Sequence, residues 1–120
     1  MFVALGGAIG SVLRWGVIAL STRRPAPGAF PWGTLGVNLL GSLVIGCVLG
    51  ASLARGTSGP GVRLFFVVGV LGGFTTFSAF SWETLALVGA GRGIAAAAYV
   101  GASVLGGLGA AALGNSLMSR

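Results

Sequence analysis

Long runs of apolar residues dominate the chain, and most charged residues fall between them. Four such runs occupy residues 2–20, 33–54, 62–91 and 93–117 of the 120-residue sequence. Each is close to or longer than the roughly 20 residues that an α-helix needs to cross the hydrocarbon core of a bilayer. The pattern predicts an all-α membrane protein whose four transmembrane helices form a single domain over residues 1–120.

The third run is too long for one straight crossing. Its 30 residues would extend about 45 Å as an α-helix, well beyond the roughly 30 Å of the hydrocarbon core. Inside it, Gly72 and Gly73 supply conformational freedom, and the hydroxyls of Thr75 and Thr76 offer partners to backbone groups released from helical bonding. We therefore expect the third helix to be broken near its middle, over residues 72–76.

Composition and charge agree with a lipid environment. Hydrophobic residues make up 55% of the chain and charged residues 7%, whereas soluble domains have about 25% charged residues. The net charge of +6 comes from arginines that lie mostly at the ends of the runs, so the expected partner is membrane lipid and not nucleic acid. Because the first run lacks a basic leader and contains Arg14, we expect a transmembrane helix there and not a cleaved signal peptide.

The arginines outside the first run are divided evenly between the two membrane faces. In a four-pass topology three fall on each side, namely Arg55, Arg63 and Arg120 with the N-terminus, and Arg23, Arg24 and Arg92 opposite. Since an excess of Lys and Arg fixes the orientation of a membrane protein, an even count favours neither orientation. Insertion both ways would allow an antiparallel dimer with a two-fold axis in the membrane plane, which places each broken helix near its counterpart.

The polar residues inside the runs indicate an ion pathway more than a catalytic site. The sequence has no histidine, one cysteine, Cys47, and one acid, Glu83, which excludes acid pairs, catalytic triads and clusters of metal-binding side chains. At 100° per residue, Thr76, Phe80 and Glu83 share one helical face, with Phe77 at its margin. The alternatives are purely structural roles: Phe77 and Phe80 would pack against each other, and Glu83 would be an anchor at the membrane surface.

The segment around the expected break resembles the signature of a known family. The run Gly72-Gly73-Phe74-Thr75-Thr76-Phe77-Ser78-Ala79-Phe80-Ser81-Trp82-Glu83 is similar to the third helix of the CrcB/Fluc fluoride channel family. The resemblance extends to the other spans through Gly6, Gly7, Arg14, Gly36, Val37, Asn38, Gly41, Tyr99 and Ser103. It implies an antiparallel dual-topology dimer in the inner (plasma) membrane that lets fluoride leave the cytoplasm passively and protects against fluoride toxicity.

The resemblance also implies roles for individual residues. Seven are expected along the ion pathway, namely Phe77, Phe80, Asn38, Ser103, Tyr99, Glu83 and Thr34. The phenylalanine rings would present their positive edges to an anion that has shed water, and hydroxyl and amide donors would replace more of its hydration shell. Gly72 and Thr75 would bind a structural Na⁺ at the dimer interface through backbone carbonyls, and Arg14 would be a basic vestibule group.

Two positions depart from the family pattern. Ala79 stands where the family commonly has Thr, and Gly107 where some members have Ser, so a heterodimer with a paralogue is an alternative to the homodimer.

A proton-coupled exporter like the small multidrug transporters is a second possible function, but those carry an essential Glu in the first helix, which has none here. A non-conducting assembly subunit is a third, and it leaves the polar residues unexplained.

Overall fold

In this computed structural model the described residues, 1–21, 26, 28–56 and 59–119, form helices and connections without a β-strand. The helices are α1 over Phe2–Ser21, α2 over Trp32–Arg55, α3 over residues 60–74, α4 over Phe77–Gly89 and α5 over Gly93–Met118. Because α3 and α4 together make one crossing, four stretches are long and apolar enough to span a membrane. The predicted all-α fold with four spans is confirmed.

The third crossing is interrupted at two threonines. Thr75 (φ −80°, ψ 157°) and Thr76 (φ −150°, ψ 119°) have extended backbone, whereas Gly72 and Gly73 are helical. The interruption lies within the expected residues 72–76, but the glycines are not its hinge. A Cβ on Gly73 would lie 2.5 Å from the carbonyl oxygen of Gly7, so this glycine serves the close approach of α3 to α1.

The helix before the break is unevenly wound. Pro60–Arg63 form an α-helical turn, Leu64–Leu71 are wound as a π-helix, and Gly72–Phe74 return to α-helical geometry. Pro60 suits the first turn because its missing N–H has no helical partner there in any case. The π-helical winding is a finding that the uniformly apolar sequence of this segment did not predict, and such winding often lies near functional sites.

Glycines allow two pairs of helices to touch through their backbones. Gly6 and Gly10 are buried in α1, and a Cβ on either would overlap a carbonyl oxygen of α3. Gly46 of α2 and Gly114 of α5 meet the facing helix in the same way. Lipid supplies no hydrophobic force between helices, so this close packing is the main source of their association.

The connections at each end of the bundle agree with a four-pass topology. The Phe2 ring lies beside Gly61, which places the N-terminus at the same end as the start of α3. At the opposite end, Arg92 donates a hydrogen bond to the Gly28 carbonyl and ties the α4–α5 turn to the α1–α2 connection. The molecule measures 49 × 30 × 19 Å, so its long axis exceeds the roughly 30 Å of a hydrocarbon core.

Candidate ion pathway

The only acid of the chain is held by hydroxyl groups from two other helices. Thr34 Oγ1 on α2 donates to Glu83 Oε1 at 2.7 Å, and Tyr99 Oη on α5 donates to Glu83 Oε2 at 2.8 Å. Thr34 is 1% and Tyr99 0% exposed, whereas Glu83 is partly exposed. Since both hydroxyl protons point at the carboxylate, an anion can use either donor only by displacing Glu83 as the acceptor.

A second polar contact closes the break in the third crossing. Asn38 Nδ2 on α2 donates to the Thr76 carbonyl at 3.1 Å, and the Thr76 N–H donates to Asn38 Oδ1 at 2.9 Å. The Thr76 hydroxyl accepts a bond from the Ala79 N–H at 3.3 Å and caps the start of α4. One amide side chain therefore satisfies both backbone groups of Thr76, which extended geometry removes from helical bonding.

Aromatic rings connect the surface of the molecule with Tyr99, which bonds to the Glu83 carboxylate. The ring centroids of Phe77 and Phe80 are 5.5 Å apart, and those of Phe80 and Tyr99 are 5.3 Å apart. Phe77 is 79% exposed, while Tyr99 is fully buried. The rings therefore form a row that runs from the outer face of α4 into the interior.

Phe30 is a further residue of this region, and no sequence pattern predicts it. It lies in the connection between α1 and α2, and its ring meets that of Tyr99 at 5.6 Å with an interplanar angle of 76°. Phe30 falls in a stretch with prolines on both sides, and no periodicity there signals a buried contact. Only the path of the connection over the helix ends brings it to Tyr99.

Ser103 has an unused buried hydroxyl. Its Oγ is the one buried side-chain polar atom without a hydrogen-bond partner among the residues that the structure describes. A free donor at a buried site is costly unless a ligand or water satisfies it. At Gly107, one turn further along α5, a Cβ would lie 3.4 Å from Ser42 Oγ, so a hydroxyl from α2 faces the position where some family members have Ser.

Arg14 reaches the broken helix. Its Nη1 is 3.4 Å from the Thr75 carbonyl oxygen, a long hydrogen bond, and its side chain is half-buried. The structure thus places the predicted vestibule arginine next to one of the two residues predicted to bind Na⁺.

The carbonyls near the break are only partly used by the helix. In a continuous helix the Gly72 carbonyl would accept from the Thr76 N–H, which here donates to Asn38. A groove of about 370 Å³ opens beside Gly72 and Thr75 and extends to Phe77. Carbonyl oxygens suit a hard cation, so the chemistry of Gly72 fits a predicted Na⁺ ligand, whereas the Thr75 carbonyl, the other predicted ligand, already accepts from Arg14.

Comparison with known proteins covers nearly the whole chain. The family described as CrcB-like protein, Camphor Resistance (CrcB), matches residues 1–115. A protein of Novosphingobium aromaticivorans named fluoride-specific ion channel FluC is 52% identical over 118 residues, which are 98% of this chain and 93% of that protein.

Two further relatives carry the same name. The protein of Thermus thermophilus is 52% identical over 117 residues, 98% of this chain and 92% of its own. The protein of Anaeromyxobacter dehalogenans is 50% identical over 120 residues, 100% of this chain and 94% of its own. The predicted resemblance is confirmed, and the chain is a multi-pass membrane protein that belongs to the CrcB family.

Proposed function

We propose that the chain is the subunit of a fluoride-selective channel through which fluoride leaves the cytoplasm passively. The observation that carries this proposal is its similarity, over nearly the full length, to relatives named fluoride-specific ion channels. Those relatives are named as channels and not as enzymes, so the proposal includes no catalytic step. The inner (plasma) membrane is the proposed location.

The proposed path follows the aromatic row to the hydroxyl groups. Ring edges at Phe77 and Phe80 carry partial positive charge and would contact an anion that has lost part of its water. The unpaired Ser103 hydroxyl supplies a further donor. The break also leaves the N-terminus of α4 inside the crossing, where its partial positive charge favours anions.

When no ion is present, the Glu83 carboxylate would accept the hydrogen bonds that a permeating fluoride accepts as it passes. Its two oxygens occupy the donors of Thr34 and Tyr99 at short distances. Fluoride is a small, strong hydrogen-bond acceptor, so it can replace one carboxylate oxygen on these hydroxyls as it passes. The carboxylate keeps the donors oriented between ions, which lowers the cost of ordering them for each one.

A second copy of the chain is the proposed partner. Phe77 is 79% exposed and borders the groove at the break, and a larger groove of about 790 Å³ follows between α2 and α3. A two-fold axis in the membrane plane through the break would place the partner's α4 beside α3, over these grooves. The even arginine count supports this antiparallel arrangement, and a paralogue is the alternative partner.

A structural Na⁺ is proposed at the centre of that dimer. Gly72 and Thr75 would hold it through their carbonyl oxygens, contributed by both subunits. The support is that the Gly72 carbonyl has lost its usual helical partner and that Gly72 and Thr75 border the same groove. The ion would supply positive charge and link the two broken helices.

Fluoride efflux from liposomes tests the proposed function. Purified protein is reconstituted with potassium fluoride inside, an ionophore carries potassium to compensate charge, and an electrode records fluoride release. We expect rapid fluoride release and negligible chloride release in the same assay, with protein-free liposomes as the control. Equal leakage of both anions, or no leakage of either, contradicts the selective channel.

A further inference from the structure

The connection between α1 and α2 is fastened to the turn between α4 and α5. Arg92 Nη1 donates a hydrogen bond to the Gly28 carbonyl oxygen. Gly28 has a φ of +73°, which residues with a side chain rarely adopt, and a Cβ there would lie 2.7 Å from the Ala90 Cβ. The contact therefore depends on a guanidinium at position 92 and on the absence of a side chain at position 28.

The fastened connection carries a ring onto the proposed pathway. Phe30 follows Gly28 by two residues and meets the Tyr99 ring edge-on at 5.6 Å. Tyr99 is buried and donates through its hydroxyl to Glu83. The orientation of the Tyr99 ring, and with it the direction of its hydroxyl, is therefore fixed partly by Phe30.

A cavity of about 200 Å³ separates this connection from α4. Phe30 and Pro31 form one wall, and Trp82 and Glu83 form the opposite wall. Glu83 borders the cavity, and the α1–α2 connection lies at the end of the bundle. The cavity therefore extends from that end to the carboxylate to which Thr34 and Tyr99 donate. A shift of the connection would alter the cavity and the Phe30–Tyr99 contact together.

We infer that Arg92 is a positioning residue of the ion pathway, which acts through Gly28 and Phe30 on the ring of Tyr99. This inference rests on the proposed function and adds a residue at the outer end of the path. Arg92 is exposed, so a competing explanation is that its charge merely attracts anions from solution. The two explanations differ in salt dependence, since at about 1 M salt the screening length falls to roughly 3 Å.

The test compares three variants in the fluoride efflux assay. The hydrogen bond from Arg92 to the Gly28 carbonyl is called the clasp below. Arg92→Gln removes the clasp and one charge, and Gly28→Ala disturbs the clasp and keeps every charge. Arg63→Gln removes one charge at the opposite end of the bundle. We expect fluoride efflux to fall by about tenfold in the first two, the scale of one lost charge-assisted hydrogen bond, and to fall much less in Arg63→Gln, which shifts the arginine count between the two sides by one, as Arg92→Gln does. The deficit should persist at about 1 M salt.

A spectroscopic measurement reports on Tyr99 directly. It is the only tyrosine of the chain, so tyrosine labelled with ¹³C in the ring reports on that residue alone in an NMR spectrum of the purified protein. We expect this signal to shift in Arg92→Gln and Gly28→Ala and to match the wild type in Arg63→Gln. If Arg92→Gln does not yield folded protein, Gly28→Ala carries the test.

The outcomes separate this inference from the proposed function. Wild-type protein that passes no fluoride contradicts the proposed function, and the Tyr99 signal still decides whether the clasp orients the ring. Wild-type flux with unchanged flux in Arg92→Gln and Gly28→Ala overturns the inference alone. A deficit of Arg92→Gln that vanishes at high salt, with an unmoved Tyr99 signal, assigns Arg92 a role as a charge and also overturns it.

Discussion

Phe80 lies at the centre of the aromatic row, between the exposed ring of Phe77 and the buried ring of Tyr99. A packing residue at this place would need only volume, whereas a residue that contacts a dehydrated anion needs the positive edge of an aromatic ring. An aliphatic replacement of similar size distinguishes the two roles, because it keeps most of the volume and removes the ring edge.

Phe80→Ile should therefore slow fluoride efflux by at least about tenfold, since an aliphatic side chain offers the anion no ring edge. The measurement is the initial efflux rate per unit mass of reconstituted protein. Phe2→Ile, at an exposed phenylalanine outside the proposed path, is the matched control and should conduct like the wild type. Unchanged flux in Phe80→Ile would make this ring a packing residue.

The family resemblance named the candidate residues of this site, and the structure shows which of them are in contact. Of the seven residues expected along the pathway, three form one hydrogen-bonded cluster in the structure, namely Thr34, Glu83 and Tyr99. The contact of Phe30 with Tyr99 had no sequence signal, because a connection has no periodicity from which a buried face can be inferred. The roles of these residues in conduction stay predictions.

The broken crossing is the element on which both proposed ions depend. Its excess length predicted an interruption, because the membrane thickness limits a straight helix. Length could not predict its two-residue extent, the Asn38 side chain that closes it, or the π-helical winding of Leu64–Leu71. Those features come from contacts with other helices and not from local preference.

Asn38→Ala should remove the Na⁺ dependence of stability. The wild-type protein should melt at a higher temperature in sodium than in potassium, because the proposed Na⁺ would link carbonyl groups at the break. Without Asn38 the Thr76 N–H can return to the Gly72 carbonyl, and that ligand is lost. The loss of the two Asn38 bonds should itself cost roughly 1–3 kcal/mol.

The control for this measurement is Asn115→Ala, at the other asparagine of the chain, which is exposed near the end of α5. It should melt at different temperatures in sodium and potassium, as we expect of the wild type. Equal melting temperatures of the wild type in the two salts would contradict a bound Na⁺, and a sodium effect that survives in Asn38→Ala would contradict the part assigned to the Gly72 carbonyl.

At the scale of the whole molecule, the even charge balance is the feature with the widest consequence. Three arginines on each side, as the sequence predicts, would leave the orientation undecided, and both orientations are needed for the proposed antiparallel homodimer. Of the six, Arg23, Arg24 and Arg120 lie outside the residues that the structure describes. The structure agrees with the underlying topology, since Gly28 and Arg92 meet at one end and Phe2 and Gly61 at the other.

Added arginines should therefore abolish conduction without touching the pathway. The double variant Gly59→Arg/Ser119→Arg adds two positive charges to the side of the N-terminus. The double variant Ser21→Arg/Gly93→Arg adds two positive charges to the opposite side. Each double variant alone should insert in one orientation and lose fluoride efflux from cells, and coexpression of the two should restore it. The measurement is fluoride release from loaded cells.

The quadruple variant with all four arginines is the matched control, because its count is even again and efflux should return. Efflux at the wild-type rate from either double variant alone would show that one orientation suffices. Failure of the coexpressed pair, with a functional quadruple variant, would mean that the two forms do not assemble with each other.

The contact between α2 and α5 at Gly46 and Gly114 has one more consequence. The helix α2 carries Thr34 and Asn38, and α5 carries Tyr99 and Ser103. Since backbone atoms set the spacing, a larger residue at either glycine would push the helices apart, and no smaller one exists to draw them closer. The spacing of α2 and α5 at this contact is thus set by the main chain. Sequence change that keeps these glycines can replace the side chains of the two helices without moving the helices apart there.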